Sequence, residues 1–150
     1  MRAGCRWTEP CASSSWCPTA SSRQRPHAEP FPNASPHEDA AFNLSRMGLL
    51  VAGLADHRLL LAEAGDDRLH QPARSALFPE ATRLLGCLRD AGALTSCWSG
   101  AGPCLLGICT HDTERAVLAK AREAMQQLQV QGRALVLEAD LSGTEVRELH

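Results

Sequence analysis

Asp39, Asn43 and Arg46 lie near the start of one apolar segment and could together hold an anionic, hydrogen-bonding ligand. Steps of four and then three residues put all three on one helix face. The same spacing also suits a solvated face with a loose Asp–Arg interaction. The later turns of the segment are strongly apolar, and polar groups at the end of an otherwise buried helix often border a cleft. Arg74 comes after Pro72 in "LHQPARS". An arginine on a turn offers a rigid fork of donors to a carboxylate or phosphate. Taken alone, Arg74 reads as a surface arginine and His70 as an ordinary surface histidine. The third feature is "SGAGPC", Ser99 to Cys104, between two short apolar runs. Gly100 and Gly102 carry no Cβ, so the backbone there can approach a phosphate, another loop or the next strand. The stretch is neither a GxxxxGK[ST] loop nor a GxGxxG that opens a helix.

The elements that must position these residues are set by capping signals and periodicity. "SPHE" predicts a helix start, with Ser35 as N-cap, Pro36 in the first turn and Glu38 closing a capping box. That helix should run from Pro36 to about Ala55 on the apolar surface of Phe42, Leu49, Leu50 and Leu54. Asp56 is placed to cap a second helix, "HRLLLAEAGDDRLH", weakened by Gly65 and broken at Pro72. Pro79 opens a third, "PEATRLLGCLRDA", which Gly92 ends. "ALTSCW" and "CLLGIC" read as strands flanking the glycine turn. Asp112 should cap "TERAVLAKAREAMQQLQ", and "RALVLEAD" reads as the last strand. The expected fold is α+β, with amphipathic helices covering one face of a small antiparallel sheet.

Totals limit the function classes. The chain has 150 residues, 44% of them hydrophobic, and a formal charge of −2. That is one domain by length, with enough apolar content for a core. Fourteen of the 15 basic residues are scattered arginines and the other is Lys120, so no nucleic-acid footprint appears. No apolar run nears the roughly 18 residues of a membrane span, and no secretory signal is evident. A cytoplasmic location is expected. Among the seven cysteines, Cys5, Cys11 and Cys17 lack CxxC partners and histidines at metal spacing. Cys87, Cys97, Cys104 and Cys109 sit in apolar company as small hydrophobes. No metal site is expected. Residues 1–34 contain no Leu, Ile or Val, and should form a disordered or non-native tail ahead of a folded domain at 35–150.

Four segments, "PHEDAAFNLSRMGLLVAGLA", "DDRLHQPARSALFPEATRLLGCLRDAGAL", "SGAGPCLLGI" and "ALVLEADLSGTEV", resemble consecutive parts of the C-terminal half of homoserine kinases, in the GHMP kinase superfamily. The resemblance runs from Pro36 to Val146. It implies a GHMP-kinase C-terminal-like α/β sandwich and ATP-dependent phosphorylation of the L-homoserine hydroxyl, a step of threonine biosynthesis. By family pattern, Arg46 in "NLSR" and Arg74 in "PARS" match the arginines that hold the amino acid's carboxylate, with Asn43 bordering the pocket. Gly100, Ala101, Gly102, Pro103 and Cys104 match a turn that supports the nucleotide's phosphate loop. Ala73 stands where the family usually has Tyr, and Cys104 where it has Ser or Thr. ATP and Mg2+ are the implied cofactors. The phosphate loop itself, of PxxxGLGSS type, is not among these residues, and no catalytic residue is assigned. Residues 1–34 are expected to stand in place of the N-terminal half, as after a frameshift, a misplaced start or a truncation, leaving a fragment without kinase activity of its own. A non-catalytic amino-acid-binding module, or an interaction domain that completes a separate N-terminal half, is the alternative. A homodimer is also compatible with the pattern.

Overall fold

The computed structural model describes residues 12–17, 34–100 and 102–139. Helix α1 spans His37–Ala55, α2 Gln71–Ser75, α3 Glu80–Asp90 and α4 His111–Gln127. The strands are β1 Ala12–Cys17, β2 Thr95–Trp98, β3 Leu105–Cys109 and β4 Arg133–Glu138. They form one antiparallel sheet in the order β2-β3-β1-β4.

Helix α3 is amphipathic in the expected way, burying Ala81, Leu84, Leu85 and Leu88. Its end is set by local chemistry. Gly92 adopts φ +106°, the Gly92 N–H donates to the Arg89 carbonyl, and the Ala93 N–H reaches back to the Leu88 carbonyl. This is the paired bonding of a Schellman stop, for which a residue without Cβ is suited. Helix α4 buries Val117, Ala121, Ala124 and Met125. Together α3 and α4 close the main core over Trp98, Leu105, Cys109 and Ala134. Burial pushes the Cys97 thiol up from its ordinary 9.0, consistent with a cysteine that packs rather than reacts.

Side chains alternate across a strand, so Leu106 and Ile108 point away from that core. They meet Leu49 and Leu50 of α1, together with Leu60 and Ala64. Helical cover therefore reaches both faces of the sheet at β3, not one. Outside these contacts α1 leaves Leu44, Met47 and Val51 exposed, at spacings that form a stripe along the helix.

Several local expectations change. The N-cap of α1 is Pro36 and that of α4 is Thr110, and neither helix start has a side-chain cap bond; Ser35 and Asp112 do not cap. Asp56 does accept from the Arg58 N–H at 3.1 Å, but the chain after it forms two short 3-10 turns, His57–Leu59 and Ala62–Gly65, in place of a second long helix. Leu60 turns inward there to reach Ile108, and the Ala62 carbonyl accepts from Thr95 Oγ1 of β2 at 2.8 Å. A carbonyl and a side chain committed to the sheet break the helical repeat. Pro72 does not end a helix but sits in the first turn of α2, where its missing N–H costs nothing.

Ala12–Cys17 lies in the segment expected to be disordered, yet it is strand β1, paired with both β3 and β4. Pairing uses backbone N–H and C=O groups that every non-proline residue has, so a lack of Leu, Ile and Val does not forbid it. The rest of 1–33 and residues 140–150 lie outside the described residues.

Candidate functional site

Asn43, Arg74 and the glycine turn, all legible as candidates in the sequence, converge where α1, α2 and the β2–β3 connection meet. Asn43 of α1 makes two bonds to the loop before α2. Its amide nitrogen donates to Asp67 Oδ2 at 2.5 Å, and its oxygen accepts from the Arg68 N–H at 2.9 Å. Asp67 in turn starts α2: its Oδ1 accepts from the His70 and Gln71 N–H groups at 2.6 and 2.7 Å. Those are orphan donors of a helix start. His70 Nε2 lies 3.4 Å from Asp67 Oδ2, and the Asp67 side chain is 7% exposed. Burial raises a carboxyl, but the N–H groups of Gln71 and His70, with the Asn43 amide, outweigh it. The net result holds Asp67 below its ordinary 3.8.

One helical turn beyond His70, Arg74 Nη1 lies 3.0 Å from His70 Nδ1 and donates to the Gly100 carbonyl at 3.0 Å. Bonds thus run without interruption from Asn43 through Asp67, His70 and Arg74 to Gly100. Arg46 stands outside that run, with its guanidinium 4.4 Å from the centre of the Phe42 ring. Arg68, which pairs loosely with Asp39 at 3.7 Å, stands 3.9 Å from the same ring. Both contacts have cation–π geometry. Among the described residues, Arg46 Nε is buried without a hydrogen-bond partner.

The glycine turn is built by the Ser99 N–H bonding the Cys104 carbonyl and the Gly102 N–H bonding the Ser99 carbonyl. Gly100 and Gly102 have φ of +57° and +77°. Their roles differ. A Cβ on Gly102 would lie 2.5 Å from Trp98 Cε3 and Cζ3, whereas one on Gly100 would meet nothing within 4 Å. Gly102 is therefore needed by the indole beneath it, and Gly100 alone keeps the open approach expected of both. Ala101 lies outside the described residues. Pro103 and Cys104 complete the turn into β3.

A cavity of about 560 Å3 opens beside this cluster, lined among others by Phe42, Asp67, Arg68, Gln71, Ser75 and Trp98. Neither Arg46 nor Arg74 lines it. A larger one, about 700 Å3, lies between the end of α4 and β4 and includes Arg122 and Arg133; it holds none of the candidate residues legible in the sequence. Among the described residues no group of three or more His, Cys, Asp or Glu side chains could hold a metal ion. No helix among them is long and apolar enough to cross a membrane. Asp67 and Arg68 carry no role that sequence reasoning singles out, and His70, a surface histidine by its local sequence, is part of the bonded run. One signal does point to Asp67: it stands three residues ahead of the His70 N–H, with Pro72 beyond, a helix-start pattern.

Comparison with known proteins settles the family. Residues 50–127 match the family model for the C-terminal part of GHMP kinases. The chain belongs to the GHMP kinases. Two relatives of this GHMP kinase chain are the homoserine kinases of Leifsonia xyli subsp. xyli, 42% identical over 77% of the chain and 35% of the relative, and of Clavibacter michiganensis subsp. michiganensis, 40% identical over 77% and 36%. The chain thus spans about a third of the length of the curated relatives it matches. A crystal structure of homoserine kinase from Cytophaga hutchinsonii shares the fold, with a TM-score of 0.73 at 21% identity, covering 84% of this chain and 41% of that one. The α+β class and the GHMP-kinase likeness read from the sequence both hold.

Proposed function

We propose that this GHMP kinase chain forms the substrate-holding part of an enzyme that phosphorylates the side-chain hydroxyl of L-homoserine with ATP in the cytoplasm. The observation that carries this reading is the unbroken run of bonds from Asn43 to Gly100. It gathers a residue of α1, an arginine fork of α2 and the glycine turn at one place.

In this reading Arg46 and Arg74 bind the amino acid's carboxylate. Arg46 Nε, buried and unbonded among the described residues, is a donor whose desolvation a carboxylate oxygen would offset. Asn43 sets the position of the loop that leads into α2 and Arg74. Phosphoryl transfer depends mainly on positioning and charge stabilisation, so holding the substrate is much of the catalytic task. ATP would supply the phosphoryl group, and the turn at Gly100, where a Cβ would meet nothing within 4 Å, would support the loop that holds its phosphates.

Titration calorimetry of the chain with L-homoserine tests the reading. Binding is expected, weakened roughly tenfold or more in Arg46→Ala and Arg74→Ala, since a bond to a charged group contributes about 1.5–3 kcal/mol. Absence of binding by the wild-type chain, or binding untouched by both substitutions, would overturn it.

A further inference from the structure

We propose that Asp67 and His70 are positioning residues that aim the Arg74 guanidinium, with His70 acting as a neutral bridge of one fixed tautomer. The proposal rests on the reading that Arg74 is a ligand-holding group, and it adds two residues that reading does not use.

The bridge is dictated by the hydrogen-bonding capacity of each partner. An ionised carboxylate only accepts hydrogen bonds and a guanidinium only donates them. His70 stands between the two, with Nε2 3.4 Å from Asp67 Oδ2 and Nδ1 3.0 Å from Arg74 Nη1. Only one neutral form suits both neighbours: the lone pair on Nδ1 accepting from Arg74, and the proton on Nε2 turned toward Asp67 as an electrostatic contact, not a hydrogen bond. The opposite tautomer would set two N–H groups against each other at the arginine and a lone pair against the carboxylate.

The anchor of the bridge is rigid. Asp67 accepts from the Asn43 amide of α1 and from two backbone N–H groups at the start of α2. Its position therefore registers α1 against α2. At the far end, Arg74 Nη1 is shared between His70 Nδ1 and the Gly100 carbonyl. With one terminal nitrogen committed to two acceptors on separate segments, the guanidinium plane is set before any ligand arrives. This is preorganisation of a long side chain that would otherwise lose rotamer freedom on binding. The carboxylate–histidine pair thus orients an arginine here, as such pairs orient the ring bound to a metal elsewhere.

Long-range proton–nitrogen spectra of the nitrogen-labelled chain at neutral pH test this without any ligand. The His70 signal, identified by its loss in His70→Leu, is expected in the Nε2–H form. The Arg74 terminal N–H signals are expected to be resolved in the wild type and broadened in His70→Leu, where Nη1 keeps the Gly100 carbonyl but loses the imidazole. His70→Gln can donate toward Asp67 and accept from Arg74, so it should restore them. Homoserine affinity should fall roughly tenfold in His70→Leu and recover in His70→Gln. An Nδ1–H tautomer, or Arg74 signals the same in wild type and His70→Leu, would overturn the proposal. If His70→Leu does not fold, the wild-type tautomer and the His70→Gln spectra decide. The expected spectra without homoserine binding would leave the positioning of Arg74 standing and sink the substrate reading instead.

Discussion

Replacing Gly102 with Ala probes the turn that brings Gly100 to Arg74. Two penalties are expected to add. The backbone at φ +77° is one that residues with a Cβ enter at a cost of roughly 1–2 kcal/mol. The new methyl would also stand 2.5 Å from Trp98 Cε3 and Cζ3. That indole is 8% exposed and meets Phe78 edge-on at 6.1 Å between ring centres, so it has little room to retreat. Overpacking of this kind costs about 1–3 kcal/mol, which makes the whole loss about 2–5 kcal/mol. Gly100→Ala is the control, because it shares the positive φ, at +57°, but its methyl would meet nothing within 4 Å. It should lose only the backbone part, roughly 1–2 kcal/mol. Urea unfolding monitored by circular dichroism measures both, with the difference in free energy taken at constant slope. Equal losses, or a larger loss for Gly100→Ala, would refute the division of labour between the two glycines.

Burial and charge set the other expected outcomes. Leu105, 1% exposed in the main core, should cost roughly 2–5 kcal/mol when cut to Ala, read from the same unfolding curves. Met47→Glu, on the exposed stripe of α1, should move stability by less than about 0.5 kcal/mol; a large loss would mean the stripe is covered. Asp67, held below its ordinary 3.8, binds protons less readily folded than unfolded. Its contribution is therefore present in full above that value and is lost as pH falls through the folded-state value. Acid titration of Asp67→Asn should show a shallower decline below pH 3.8 than wild type, and parallel curves would count against the bonds assigned to Asp67.

Features that depend on near neighbours are legible in the sequence. The stop of α3 at Gly92 needs only the chemistry of the preceding turn, and it reads off the chain directly. The β2–β3 strands flank two glycines and are equally local. Tertiary demands hide the rest. The segment after Asp56 has a helical pattern, but Leu60 and the Ala62 carbonyl are claimed by β3 and β2. Pro72 is a breaker in mid-helix and harmless in a first turn, and the sequence does not say where the turn begins. Of the site, Asn43 and Arg74 stand out in the sequence, and the structure joins them to Gly100. Asp67 is legible only as a helix start, because its bond to Asn43 depends on how α1 meets the loop before α2, a property of the fold. Family likeness, not spacing, supplies the proposed roles of Arg46 and Arg74.

The place of β1 in the sheet has a kinetic consequence. Its partners Cys109 and Glu138, opposite Ala12, sit far along the chain, whereas β2 and β3 are joined by a short turn. Closing a long loop loses chain entropy before any contact compensates it, and pairings remote in sequence slow folding. The β2–β3 hairpin with α3 and α4 can assemble from local contacts, so β1 should enter late, and β4, which among the described residues pairs with β1 alone, should lock in with it. A ribosome making this chain would hold the outer half of the sheet open until Arg133–Glu138 had emerged.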